Sequence, residues 1–292
     1  VTKPTPVEDQ LHHFLPQSYL NAWIGEDDKL SRYAKGRSGA ISVKRYAPSS
    51  VARTMNLYSL PGVGIDMKQS IETRFMQRID DDLVEPLELL TNMTIPEEIS
   101  TRLKWSKFVS SLYFRMPEVV AAFDEYFTSN WLEAATQHAV KNKDLGLSRD
   151  DVVSHYRDAD PTAADYWARI VFTYNIEHSP EILRVLDLQW KVVNFIGGDN
   201  PLMTSDCPLM VDRIDDDGPR CLALAIGPSH MFMAYRQEQD FNRMLGPSAD
   251  DLIERYNGHV VSRARDVVIA YDHSGHSEVK ALMSTARSPL AT

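Results

Sequence analysis

The sequence is poor in the local devices that announce a common chemistry. Only two cysteines, Cys207 and Cys221, occur in 292 residues. They form neither a CxxC pair nor a Cys/His zinc spacing, which excludes a zinc-finger-like site and a disulfide framework. So sparse a pair suits a reducing compartment in which both thiols stay free. No apolar run approaches the ~20 residues of a membrane-spanning helix, and Val1 to Gln10 carries no apolar stretch like that of a signal peptide. The expectation is a cytoplasmic protein with no membrane partner. No GxGxxG follows a strand, and the Walker lysine loop, HExxH and the GxSxG elbow are missing, which sets aside the chemistries those motifs carry.

What is present is the composition of a globule. With 43% apolar residues and 25% charged ones, the chain can bury a sizeable core and is too apolar to remain solvated along its length. The formal net charge of -10 repels polyanions, so nucleic acid is not an expected partner. Basic residues gather locally between Lys29 and Arg53, interleaved with Ser, Gly and Tyr, and read as a solvated loop surface.

Along the chain the grammar changes twice. Residues 1–63 hold Pro4, Pro6, Pro16, Gly25, Gly36, Gly39, Pro48 and Pro61, and read as an extended arm of loops and short strands. Its apolar cluster Phe14, Leu15, Tyr19, Leu20 and Trp23 is too dense for a free tail, so the arm belongs to the fold. Residues 64–189 read as a helical body. Ile71, Phe75, Ile79, Leu83, Leu87 and Leu90 mark one amphipathic helix over Lys68–Leu90. Thr94 and Glu97 form a capping box for the next, which Pro117 divides. Ser148 with Asp151, residues Pro161 to Tyr174, and Ser179 with Pro180 mark further helices. From residue 190 strands follow: Lys191–Ile196, a turn at Gly197–Pro201, Leu202–Thr204, Leu209–Asp212, an acidic turn at Asp215–Gly218, Arg220–Ala225 and Met231–Tyr235. A helix over Ala249–Arg263 and a strand over Val267–Tyr271 close the pattern. The expected fold is a single α+β domain over 1–292, its helical N-terminal two-thirds packed on a C-terminal, mostly antiparallel sheet.

A series of short motifs runs through these elements: His13-Phe-Leu-Pro16-Gln-Ser-Tyr19-Leu20, Lys29–Tyr33, Asn56–Tyr58, Ile71-Glu72 with Asp80, Phe114-Arg115-Met-Pro117, Trp190, Met203-Thr-Ser-Asp206-Cys-Pro208, Gly227-Pro228-Ser229 and Arg255-Tyr-Asn257. In order and content the series resembles the domain-of-unknown-function 4238 family. The chain departs from that pattern at Met116, where threonine is expected, at Cys207, where asparagine is expected, and at Gly227–Ser229, which stands in place of L-S-P. The resemblance implies no activity, so the chemistry is argued from side chains.

His13, on an extended arm, has an imidazole suited to acid/base work or to a metal, or to a hydrogen bond that fastens the arm. His12 points to the other face of an extended segment and is the weaker candidate. Asp206 follows an apolar strand, where a rigid scaffold presents a reacting carboxylate; the same sequence is ordinary turn chemistry, with backbone N–H groups on the carboxylate. Arg115, beside Phe114 and Met116, needs either a structural carboxylate or an anionic ligand. Glu72 and Asp80 lie eight residues apart, about 12 Å along a helix, so only one of them can join a metal. Asn257 orients a ligand or caps and packs. Trp105, Trp131, Trp190 and the set Met203, Met210, Met231, Met233 read as core.

Two functions from different classes follow. In the first, the chain is a hydrolase-type enzyme acting on a small anionic or peptide-like substrate. His13 and Asp206 are its catalytic groups, a divalent metal ion on His13, Asp206 and Glu72 assists, and Arg115, Ser205 and Asn257 hold the substrate. In the second, it is a non-catalytic regulatory or protein-interaction protein whose motifs fasten the arm to the sheet. Convergence of His13, Arg115 and Asp206 on one open pocket favours the first; dispersal, or full pairing beneath the surface, favours the second.

Overall fold

The structure is a computed structural model that describes residues 9–36, 39–141, 148–154, 162–195, 200–215 and 218–285. In chain order the elements are β1 (Leu11–His13), α1 (Gln17–Leu20), β2 (Leu30–Lys35), β3 (Ile41–Tyr46), β4 (Arg53–Met55) and α2 (Ile65–Lys68). A π-helical stretch (Ile71–Met76) leads into α3 (Gln77–Asp82) and α4 (Val84–Thr91), followed by α5 (Ile99–Ser111), α6 (Pro117–Lys141), α7 (Arg149–Ser154), α8 (Ala163–Glu177) and α9 (Pro180–Asp187). The remainder is β5 (Gln189–Asn194), β6 (Thr204–Ser205), β7 (Met210–Asp215), β8 (Gly218–Ala225), β9 (His230–Tyr235), α10 (Glu238–Leu245), α11 (Ala249–Arg263), β10 (Val267–Ala270) and α12 (His276–Thr285).

The chain is α+β, but the expected division of it is overturned. Strands occupy both ends of the sequence and helices the middle. The stretch Lys29–Arg53, read as a loop surface, contains the β2–β3 hairpin, with Ser31 opposite Arg45 and Tyr33 opposite Val43. In it Arg32, Lys35, Lys44 and Arg45 stand on both faces, interleaved with Leu30, Tyr33 and Ile41, all three buried. Long charged side chains carry apolar stems, so a half-buried strand tolerates them at the positions facing water. β10 adds to this hairpin from the far end of the chain and β6 adds to β10, giving an antiparallel sheet in the order β3-β2-β10-β6. The second sheet, β5-β9-β8-β7, is antiparallel: β7, β8 and β9 follow one another as a meander of consecutive strands, but β5 pairs with β9 and not with the next strand in the sequence. Leu202 and Met203, expected to begin a strand of that meander, precede the two-residue β6 of the other sheet. The turn at 196–199, the tip at Asp216–Asp217 and the helix start at Pro161 lie outside the described residues.

Helix boundaries follow local caps where those caps exist. Ser148 Oγ accepts from Asp151 N at 3.1 Å while Asp151 Oδ2 accepts from Ser148 N at 2.9 Å, a reciprocal cap for α7. Ser179 caps α9, with Pro180 in its first turn, and α11 has the expected bounds, its Ser248 accepting from Asp251 N. The helices either side of Pro117 are separate, and the proline opens α6. Two expectations fail. The stretch Lys68–Leu90 is divided into short helices with a π-helical turn, although Ile71, Ile79, Leu83, Leu87 and Leu90 are buried as its periodicity requires. α5 starts at Ile99 behind Glu98, and Thr94 donates to the Asn92 carbonyl instead of forming a capping box.

Contacts divide the chain into two compact units, each drawn from several stretches. One comprises described residues up to His12, Thr54–Arg78 and Pro117–His178; the other His13–Arg53, Ile79–Met116 and the described residues from Ser179 onward. In the first, α6 and α8 share an aromatic seam: Phe172 against Phe123 (5.4 Å between centroids), Phe123 against Phe127 (6.0 Å), Phe127 against Trp131 (5.5 Å) and Trp131 against Trp167 (6.2 Å). In the second, β8 and β9 are almost wholly buried. Phe232 of β9 receives Trp105 at 5.1 Å and Trp190 at 5.2 Å edge-on, and the Arg102 guanidinium lies 3.8 Å over the Trp190 ring. Tyr19, Leu20 and Trp23 of the arm are fully buried there. Neither Cys207 nor Cys221 is in a disulfide, and among the described residues no helix is long and apolar enough to cross a membrane.

Candidate functional site

The densest polar arrangement surrounds Pro201–Pro208, the segment that carries the Met-Thr-Ser-Asp motif. It is too short in regular structure to satisfy its own backbone, having only the two residues of β6 in a ladder, and neighbours supply the missing partners. Leu202 N donates to Pro228 O at 2.7 Å and the Trp23 indole to Leu202 O at 3.0 Å. Asn257 accepts from Met203 N at 2.9 Å through Oδ1 and donates to Pro201 O at 3.0 Å through Nδ2. Ser205 Oγ donates to Val260 O at 2.9 Å and accepts from Cys207 N at 3.1 Å.

Two phenols grip β8 beside this segment. Tyr19 donates to Ala225 O at 2.8 Å and lies 2.8 Å from Thr204 Oγ1, so the Thr204 hydroxyl supplies the proton of that second bond. Tyr256 accepts from Ala225 N at 2.8 Å and donates to Pro208 O at 2.7 Å. Burial pushes both phenols above the usual tyrosine range, so they remain protonated and donate. α1 and α11 thus hold one residue of β8 from its two backbone sides.

Asp206 is 4% exposed. Its Oδ1 accepts from Arg265 N at 3.0 Å, and its Oδ2 from Asp266 N at 2.7 Å and Val267 N at 3.1 Å. The carboxylate therefore seats the chain that enters β10. Burial pushes the carboxyl up to about 6 against the opposing pull of these three donors.

His13 Nε2 donates to Ser49 O at 3.3 Å, and burial holds its imidazole below the ordinary histidine value. Among the described residues His13 and Asp206 have no common hydrogen-bond partner. Arg115, 1% exposed, pairs with Asp80 Oδ1 at 2.6 Å and donates from Nε to Ser111 Oγ at 3.0 Å. Burial outweighs that guanidinium and leaves the Asp80 carboxyl above its usual range. Glu72 lies half-buried in the π-helical stretch. Among the described residues no three His, Cys, Asp or Glu side chains gather as a metal site. His13, Asp206 and Glu72 form no such group.

The residues that converge are Tyr19, Trp23, Thr204, Ser205, Asp206, Tyr256 and Asn257. Ser205, Asp206 and Asn257 belong to the predicted set, while Tyr19 and Trp23 are expected only as apolar anchors of the arm and Thr204 and Tyr256 carry no expected role. In the other unit His12, set aside in favour of His13, is fully buried. Its Nδ1 accepts from Tyr58 N at 2.9 Å, so Nε2 carries the proton and donates to Gln69 Oε1 at 2.8 Å. Strand alternation was the available signal: His12 and Phe14 are buried and His13 between them is half-exposed.

Two cavities lie apart from the predicted residues. One of about 390 Å³ is lined by Gly25, Glu26, Asp27, Arg45, Tyr271, Asp272 and His273. Its guanidinium is already engaged by Asp27, Ser31 and the carbonyls of Lys29 and Tyr271. The other, about 160 Å³, is lined by Tyr113, Glu181, Arg184, Val211, Gly218 and Pro219.

A family model described as "Protein of unknown function (DUF4238)" matches residues 11–274, from β1 to the turn after β10. No curated protein and no solved structure matches the chain.

Proposed function

The chain belongs to the DUF4238 family, and from that premise we propose that it is a non-catalytic binding or regulatory protein whose motif residues maintain the fold. The observation that carries this reading is the engagement of Asp206: both oxygens face backbone N–H groups and the side chain is 4% exposed. A general acid or base must reach the proton it moves at about 3 Å, and this carboxylate is turned toward its own main chain. Ser205 and Asn257 support the reading in the same way, since each bridges main-chain groups of two segments. Function then resides on the surface that this frame supports.

The test pairs turnover with stability. Purified protein is assayed on chromogenic phosphoester, ester and peptide substrates with and without added divalent cations, alongside Asp206→Asn and His13→Ala. The expected result is no turnover by the wild type and a lowered melting temperature for Asp206→Asn. Turnover that either variant abolishes at an unchanged melting temperature would overturn the reading and return the chain to the hydrolases.

A further inference from the structure

α8 is apolar on two nearly opposite faces. One carries Ala168, Phe172 and Ile176, all buried, with Phe172 packed against Tyr58 and Phe123. The other carries Trp167, Ile170, Val171 and Tyr174, spaced i, i+3, i+4 and i+7, the repeat by which a helix offers an apolar stripe to a partner. A helix on the surface of a globule presents polar residues there instead. Trp167 is 42% exposed and Tyr174 60% exposed, while Ile170 and Val171 are half-buried. Trp167 is fixed from beneath by Trp131 and from the side by Tyr166, and Tyr174 stacks on His178 at 4.1 Å. The rings are held in place before anything binds, which limits the ordering cost of association.

Charge decides the occupant. The segment 117–178, which includes α6, α7 and α8, contains eleven Asp and Glu against five Lys and Arg, more than half of the chain's net charge of -10. A second copy would set this field against itself, and an anionic lipid surface would be repelled. A basic polypeptide would be attracted, and its guanidinium groups match the exposed faces of Trp167 and Tyr174. Resting on the non-catalytic reading above, we infer that the Trp167–Tyr174 stripe of α8 docks an arginine-rich, amphipathic segment of a protein partner.

The probe is a labelled synthetic helical peptide with arginine on one face and leucine on the other, titrated against the whole chain and followed by fluorescence anisotropy. The expected result is binding that weakens about tenfold or more in Trp167→Ala/Tyr174→Ala, with no binding of an analogue carrying glutamate for arginine. Both substitutions are at exposed positions and preserve charge, so an unchanged melting temperature separates lost contact from lost fold. Equal affinity of wild type and double variant, or equal binding of the acidic analogue, would overturn the inference. So would a wild-type dimer in sedimentation that the double variant dissolves, since the stripe would then bind a second copy. Any of these leaves the non-catalytic reading standing, because turnover, not peptide affinity, decides that one.

Discussion

The neighbourhood of Pro201–Pro208 and the α6–α8 pair are both rich in aromatic and polar side chains, but they use them in opposite ways. Around Pro201–Pro208 polar atoms point inward: Tyr19, Tyr256, Asn257 and Asp206 are buried, and their bonds run to main-chain groups. Along α6 and α8 the aromatic rings form a seam that emerges at the surface at Trp167, 42% exposed and stacked on Trp131. Several of the family-like motifs fall in the first region. The motif residues Ser205, Asp206, Tyr256 and Asn257 complete main-chain hydrogen bonds there, whereas the proposed docking face lies on a helix whose sequence resembles ordinary packing.

The contrast can be broken most severely at Arg115. Replacing it by Met leaves the Asp80 carboxylate without a 2.6 Å partner, and losing one member of a buried pair costs about 3–5 kcal/mol. Asp80 relieves part of that cost by holding a proton, so the deficit grows with pH; urea denaturation of both proteins at acid and alkaline pH measures it. A deficit that is the same at both ends would show that Asp80 does not depend on this guanidinium.

Asp206→Asn comes next. An amide offers one acceptor oxygen where three N–H donors require two, so the loss is about 2 kcal/mol. It carries a pH signature of its own. The folded carboxyl titrates at about 6 against an ordinary 3.8, so the folded state binds the proton more tightly than the unfolded chain. Stability from this group is fully present below the ordinary value and is lost as pH rises through the folded one. The variant lacks that slope, and parallel wild-type and variant stability curves across the window would refute the assignment.

The smallest effect is expected on α8. Trp167→Ala removes a ring that is already 42% exposed, so stability falls by less than about 1 kcal/mol, in contrast to its effect on peptide binding. A larger loss in thermal denaturation would move Trp167 from the docking face into the core.

What was legible in the sequence is what local chemistry fixes. Ser179 with Pro180, Ser148 with Asp151, Pro117 and the bounds of α11 follow from caps and breakers within a few residues of one another. The β2–β3 hairpin was not legible, because the strand beside it, β10, comes from a distant stretch of the chain and basic residues on both of its faces leave no polar and apolar alternation. Asp206, Ser205 and Asn257 were picked out by residue type and position. Their hydrogen-bond partners were not legible, because sequence does not say whether a carboxylate turns to a pocket or to its own backbone. The same limit explains the choice of His13 over the buried His12.

The placement of β10 between β2 and β6 has a consequence for how the protein is made. Ser31 and Ala34 cannot meet Ala270 and Val267 until the long stretch of chain between them has left the ribosome. Until then the β2–β3 hairpin keeps an unpaired edge, which is the kind of surface that joins other chains. Closing so long a loop delays native pairing and slows folding. Chaperone demand during synthesis should therefore fall on Leu30–Tyr46 rather than on the helices that follow, whose main pairings, α5 with α9 and α6 with α8, close over much shorter stretches of chain.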